Sequence, residues 1–211
     1  DKGHRKVHGL KVNGTVIRKL NIKEISCSDL GAAYFLMSEE RRRKCDGFRR
    51  EQDKKLCIAA DKLLRETLAE ITGINGKDLI FGIEEGGKPY LKNGDCHFSV
   101  SHSDDYVVVA VNRERRVGVD IEKIRDVRTR LLMNVCVQKE IRYIFGGIVI
   151  PGEYLQDRSL CERFFRVWTY KEACLKLTGE GITDDLKKCI YGEMESECEV
   201  FDDYCLTVIT E

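Results

Sequence analysis

Apolar residues at 56, 60, 63, 64, 68 and 71 recur every three to four positions, the repeat of one buried face of an α-helix, and Gly73 stands where such a helix would stop. Downstream the period changes to two. Residues 79–83 read as a strand and 84–89 as a turn. Cys96, Phe98 and Val100 then alternate with His97, Ser99 and Ser101, so this strand has one apolar and one polar face. Residues 106–111 form a continuous apolar run suited to a buried strand, and 112–116 a polar connection. In 117–122 the alternation returns, with Val117, Val119 and Ile121 on one side and Gly118, Asp120 and Glu122 on the other. A helix around 138–145, a Gly-rich loop at 146–152 and a longer helix over about 159–177 follow, the last closed by Gly179-Glu180-Gly181. Short strands are predicted at 189–191, 197–201 and 205–209, with Asp202-Asp203 as a turn. Helices and antiparallel strands in both halves predict an α+β fold, and the sequence divides into halves at 1–112 and 113–211.

Composition narrows the function classes. A chain of 211 residues is one large domain or two small ones packed together, long enough to bury a core. Its 36 basic and 36 acidic residues leave no net charge, which argues against a coat for nucleic acid or an anionic membrane. Any anion site must be local. No apolar stretch approaches the roughly 20 residues of a membrane span, and no signal-peptide core follows the opening residues 1–6, so the protein is expected to be soluble and cytoplasmic. None of the ten cysteines is spaced C-x-x-C, and several fall at apolar positions of periodic segments. They are expected to be free, mostly buried thiols.

Four groups of residues carry candidate chemistry. Asp120 and Glu122 lie two apart on a strand, so both carboxylates leave the same face, roughly 6.5 to 7 Å apart. This suits Mg2+, which takes one or two protein carboxylates and fills its remaining positions with water and phosphate oxygens; it equally describes a charged, exposed strand face. Glu172 and Lys176 stand at i and i+4 of a helix. An ordinary surface pair of this kind is worth about 0.3–0.5 kcal/mol, but Phe164, Phe165 and Trp168 just before it imply a helix packed on two sides, with the pair in a cleft. Residues 39–56 hold eight Arg or Lys, a solvated helix or a phosphate cradle in which two or three cations point at the ligand. Ser101-His102 is no nucleophile-base pair, because neighbours on an extended chain face opposite sides. At a strand end after Lys88-Pro89, these hydroxyls and the imidazole better suit holding a phosphate.

Lys88-Pro89-Tyr90-Leu91, His97 to Ser103, Gly118-Val119-Asp120-Ile121-Glu122 and Trp168 to Lys176 follow one another in an order that resembles the surfactin-synthetase-activating (Sfp-type) 4'-phosphopantetheinyl transferases. With Arg41 to Phe48 the resemblance covers about 36–181. It implies two similar lobes, a pseudo-dimeric arrangement with the active site between them, and transfer of the phosphopantetheine arm of coenzyme A to a serine of an apo acyl or peptidyl carrier protein. More than a hundred residues precede Asp120, which favours the two-lobed monomeric branch over the short trimeric one. By resemblance, Asp120, Glu122 and Glu172 are ligands of Mg2+, Glu172 accepts the proton of the attacking serine, and Lys176 contacts the diphosphate. Arg41, Lys44, Ser101 and His102 match the cations and polar groups near the 3'-phosphate, and Lys88 and Pro89 line the adenosine site. Cys57 and Ala60 stand where relatives often carry a hydroxyl residue and a glycine. Residues 126–160, where carriers dock in the family, match nothing specific. The rival readings are a magnesium-dependent nucleotidyl or phosphotransferase acting on another nucleotide, and a catalytically silent module that binds coenzyme A or a carrier.

Overall fold

The computed structural model describes residues 8–12, 14–147, 152–179 and 186–211. Part of the Gly-rich loop (148–151), the Glu180-Gly181 stop and the opening residues 1–7 lie outside these. In chain order the first lobe holds β1 (His8–Val12), β2 (Thr15–Asn21), α1 (Cys27–Leu36), α2 (Glu39–Asp46), α3 (Glu51–Thr72), β3 (Phe81–Ile83), β4 (Pro89–Leu91), β5 (His97–Ser103) and β6 (Tyr106–Asn112). The second holds β7 (Val117–Lys123), β8 (Val127–Arg128), α4 (Thr129–Val135), α5 (Gln138–Phe145), β9 (Tyr154–Leu155), α6 (Arg158–Thr178), β10 (Ser196–Phe201) and β11 (Tyr204–Thr210).

Each lobe lays one long helix on an antiparallel sheet. The first sheet has the order β1-β2-β6-β5 and the second β10-β11-β7. On its outer face the first sheet packs Phe98, Val107, Val109 and Val111 against Leu56, Leu63 and Leu68 of α3, the helix that the three-to-four spacing predicts. Gly73 ends α3 at φ 77, a conformation that costs glycine little. On its inner face Ile17, Val108 and Ala110 meet Val117, Val119 and Ile121 of β7 and Leu206 and Val208 of β11. The second sheet in turn gives Ile209 to Tyr170, Ala173 and Leu177 of α6. The result is four layers, helix on sheet on sheet on helix, which buries β6, β7 and β11 on two sides. Lys19 of β2 reaches Glu199 of β10 at 2.8 Å and ties the sheets at one end.

Three sequence expectations change. Residues 39–56 do not form one helix: Gly47 donates its N–H to Arg43 and closes α2, Phe48 packs on Cys45 and Cys57, and α3 begins at Glu51. The strand at 79–83 begins only at Phe81, and Pro89, read as the end of a turn, opens β4 (Pro89–Leu91), which pairs with it. Residues 189–191 are not a strand, because the buried Lys171 takes the carbonyls of Leu186 and Cys189 and Glu140 takes the N–H of Tyr191. A backbone whose polar groups are already satisfied has nothing left to offer a ladder. The polar face of β5 has a protein neighbour: Ser99, Ser101 and Ser103 are buried against the second lobe. The turn at Asp202-Asp203 is present, both residues at positive φ. All ten cysteines are free thiols, seven of them buried. Among the described residues no helix is long and apolar enough to cross a membrane.

Candidate active site

Gly118 decides how α6 meets β7. A Cβ there would run into the Ala173 carbonyl oxygen and lie 2.7 Å from the Leu177 nitrogen, so only glycine lets the helix backbone settle on the strand. That approach brings Glu172 and Lys176, one helical turn apart, over Asp120 and Glu122. Lys176 Nζ lies 2.6 Å from Asp120 Oδ1 and 2.8 Å from Ser101 Oγ. Ser101 donates to Asp120 Oδ1 at 2.8 Å and Ser103 to Glu122 Oε2 at 2.9 Å. The Trp168 side chain lies close to Glu122.

All three carboxyls are held above their ordinary range. For Asp120 the cause is burial, offset in part by Lys176 and Ser101. For Glu122 it is burial and then the charge of Asp120, and Glu172 is raised the same way. Asp120 Oδ2 is buried with no hydrogen-bond partner. Three carboxylates facing one ammonium, with an orphaned oxygen among them, make a donor set of the hard kind that takes an oxygen-seeking divalent cation. As the side chains stand, no three His, Cys, Asp or Glu among the described residues are grouped closely enough to enclose an ion. Lys176 holds Asp120 Oδ1 instead.

A cleft of about 270 Å³ opens beside these residues between the lobes, walled by the 86–89 turn, by Phe98, Ser99 and Val100 of β5, and by the 172–179 face of α6. Pro89 and the Lys88 stem line it. The Lys88 ammonium does not: it donates to Val117 O at 3.0 Å and Leu177 O at 2.9 Å, clasping the second lobe. Burial, then the nearby Arg116, lowers its pKa to about 8. Arg116 caps the same helix end and pairs with Glu84 at 2.9 Å. His102 points away from Ser101, as adjacent strand residues must. Its imidazole is held below the usual histidine range by partial burial and then by the Lys176 and Arg41 charges, which places the neutral ring near both cations. Lys44, one turn beyond Arg41 on α2, is exposed. The structure thus divides the expected phosphate-holding group: His102 and Arg41 share a neighbourhood, while the Ser101 hydroxyl is turned inward to Asp120.

Two features escaped the sequence reading. Lys171, adjacent to Glu172, is fully buried and pairs with the equally buried Glu140 at 2.8 Å, so one lysine of the helix is structural and the other faces the cleft. The serines of β5 act as a unit, for which the only sequence signal was their spacing of two.

Two family models match the chain in series. The N-terminal model of the 4'-phosphopantetheinyl transferases matches residues 24–114, and the 4'-phosphopantetheinyl transferase superfamily model matches 116–202. The chain belongs to the 4'-phosphopantetheinyl transferase superfamily. It is similar to a 4'-phosphopantetheinyl transferase of Bacillus subtilis, 30% identical over 157 residues that cover 70% of this chain and 62% of that protein. It is also similar to the 4'-phosphopantetheinyl transferase gsp of Aneurinibacillus migulanus, 28% identical over 79% of this chain and 68% of that protein. The 4'-phosphopantetheinyl transferase Sfp of Bacillus subtilis strain 168 is 26% identical over 70% of this chain and 62% of its own length. The chain therefore spans about three fifths to two thirds of the length of these curated relatives. The family's two-lobed fold agrees with the two helix-on-sheet units seen here.

Proposed function

We propose that this chain transfers the 4'-phosphopantetheine group of coenzyme A to a serine hydroxyl of an apo acyl or peptidyl carrier protein, releasing 3',5'-ADP. The observation that carries the proposal is the meeting of Asp120, Glu122, Glu172 and Lys176 across the β7–α6 contact, with one carboxylate oxygen orphaned beside the interlobe cleft. The relatives named above are 4'-phosphopantetheinyl transferases.

In this reading residues 1–112 hold the adenosine and 3'-phosphate and residues 113–211 carry the metal and catalytic groups. Asp120, Glu122 and Glu172 would hold Mg2+, which when bound supplies positive charge to the diphosphate oxygens. Arg41, Lys44 and His102 grip the 3'-phosphate; the Lys88 stem and Pro89 line the adenosine pocket, and Ser101 acts there through Asp120 and Lys176. The carrier serine oxygen attacks the phosphorus nearer pantetheine, the bond from that phosphorus to the bridging oxygen breaks, and its electron pair leaves with 3',5'-ADP. Glu172 takes the serine proton, directly or through water, and its raised pKa suits a base that must be neutral afterwards. Lys176 offsets charge building on the leaving group. Phosphoryl transfer needs this positioning and neutralisation more than covalent help. We place carrier docking on 126–160, where α4 exposes Leu131 and Met133, and we read the protein as a cytoplasmic monomer, for which ten free thiols are suitable.

The test is to incubate the protein with coenzyme A, Mg2+ and an apo carrier and to weigh the carrier. A gain equal to one phosphopantetheine is expected, lost in excess chelator. Coenzyme A binding without any gain would favour the silent module, and turnover of nucleoside triphosphates without coenzyme A would favour the other phosphotransferase.

A further inference from the structure

β5 and β7 are both edge strands of their sheets, and an edge exposes a row of unpaired N–H groups. Here that row is met by side chains. Ser99 Oγ accepts from Val119 N at 3.1 Å, Ser101 Oγ from Ile121 N at 3.3 Å and Ser103 Oγ from Lys123 N at 3.1 Å. The three hydroxyls stand where a neighbouring strand would place carbonyls, and they join the lobes without a shared sheet.

A hydroxyl that accepts still has a proton to give. Ser101 gives its proton to Asp120 and Ser103 gives its own to Glu122, in each case the β7 residue just before the N–H it accepts. Ser99 stands opposite Gly118, which has no side chain to receive one. The same rung is thus built three times, twice with a carboxylate attached. Asp120 has Lys176 besides Ser101. Glu122 is held by Ser103.

We propose that Ser103 is a positioning residue for Glu122: fixed by the N–H it accepts, it donates to Oε2 and so holds in place a carboxylate that would take a divalent cation. This deepens the proposed function and rests on its cation site. Seam and site are one structure in this view, since the hydroxyls that join the lobes also aim the carboxylates. Groups that orient a metal ligand typically cost about 10- to 100-fold in affinity when removed.

The test uses Mn2+ alone as the probe, its binding to the full chain followed by the electron paramagnetic resonance of free Mn2+, with melting temperatures measured alongside. Ser99→Ala is the control, for it removes a rung and no carboxylate partner. Both alanine variants are expected to lose similar thermal stability. Ser103→Ala should weaken Mn2+ binding about tenfold or more, Ser103→Thr should recover most of that loss, and Ser99→Ala should stay within about twofold of wild type. Should Ser103→Ala not fold, Ser103→Cys, close in shape and a weak donor, reads the same loss. A Ser103 variant without a good donor that binds Mn2+ as the Ser99 variant does overturns the positioning role and leaves the cation site standing. A wild-type chain that takes up no Mn2+ overturns the cation site, and this inference with it.

Discussion

Lys176 Nζ sits 2.6 Å from Asp120 Oδ1, while Oδ2 of the same carboxylate is buried without a partner. The ammonium is about one-third exposed and the carboxylate is not, so the pair relieves a desolvated charge from one side only. Lys176→Met is expected to destabilise the protein by about 1–3 kcal/mol, the range for stranding a buried polar group, and Asp120→Asn in the same background should recover part of it. A double-mutant cycle by urea unfolding at pH 7 checks this; single losses that add to within about 0.3 kcal/mol would mean that the pair is not coupled. Single-turnover transfer should fall about 10²- to 10³-fold in Lys176→Met.

Lys171 and Glu172 are neighbours with opposite tasks. Lys171 is fully buried on Glu140, and removing one member of such a pair costs about 3–5 kcal/mol. Lys171→Met should therefore lower the melting temperature steeply. Glu172 carries a charge that burial and Asp120 disfavour, so Glu172→Gln should leave stability equal or slightly higher at neutral pH. Its single-turnover transfer should nonetheless be very slow, with little recovery at high Mg2+. Near wild-type transfer by Glu172→Gln would remove this residue from the chemistry.

Gly118 and Gly31 make a contrasting pair. A Cβ at Gly118 strikes the α6 backbone, which cannot move aside as a side chain tip can. Gly118→Ala should cost about 3 kcal/mol or more, at or beyond the usual range for overpacking, and displace Glu172 and Lys176 in any fraction that folds. At Gly31 on α1 a Cβ meets nothing within 4 Å. Gly31→Ala should stabilise by about 0.5–1 kcal/mol, the helix propensity difference. Chemical denaturation of both variants decides, and equal effects would refute the close-approach argument.

Lys88 makes stability depend on pH with a definite sign. Its folded pKa of about 8 lies below the ordinary 10.5. Between these values the unfolded chain holds a proton that the folded chain lacks, so this residue raises stability as pH climbs from about 8 to 10.5. Below 8 both states are charged and the full cost of burying the ammonium is present. Lys88→Met removes the titration. The stability of wild type relative to Lys88→Met should therefore increase across that window, measured by urea unfolding at several pH values; a constant difference would place the ammonium in water.

The helix of α3, the alternation of β5 and the sidedness of β7 were legible in the residues because both periods are local: a repeat of 3.6 or 2 states which side chains share a face whatever that face meets. Asp120 with Glu122, and Glu172 with Lys176, were legible for the same reason as same-face pairs on one strand and one helix, while their grouping into one site rested on the family resemblance. What each face meets was not. The polar side of β5 was equally consistent with water until the second lobe covered it, and its serines bond to residues 19 and 20 positions away. Lys171 and Glu172 differ by one step around a helix, and only Glu140, brought up by α5, makes one a core residue. Residues 189–191 have strand-like composition, yet a buried ion pair claims their backbone first. Local periodicity is a property of the chain's own geometry, whereas burial and hydrogen-bond partners are settled between segments far apart in sequence, and these contacts exist only once both lobes have packed.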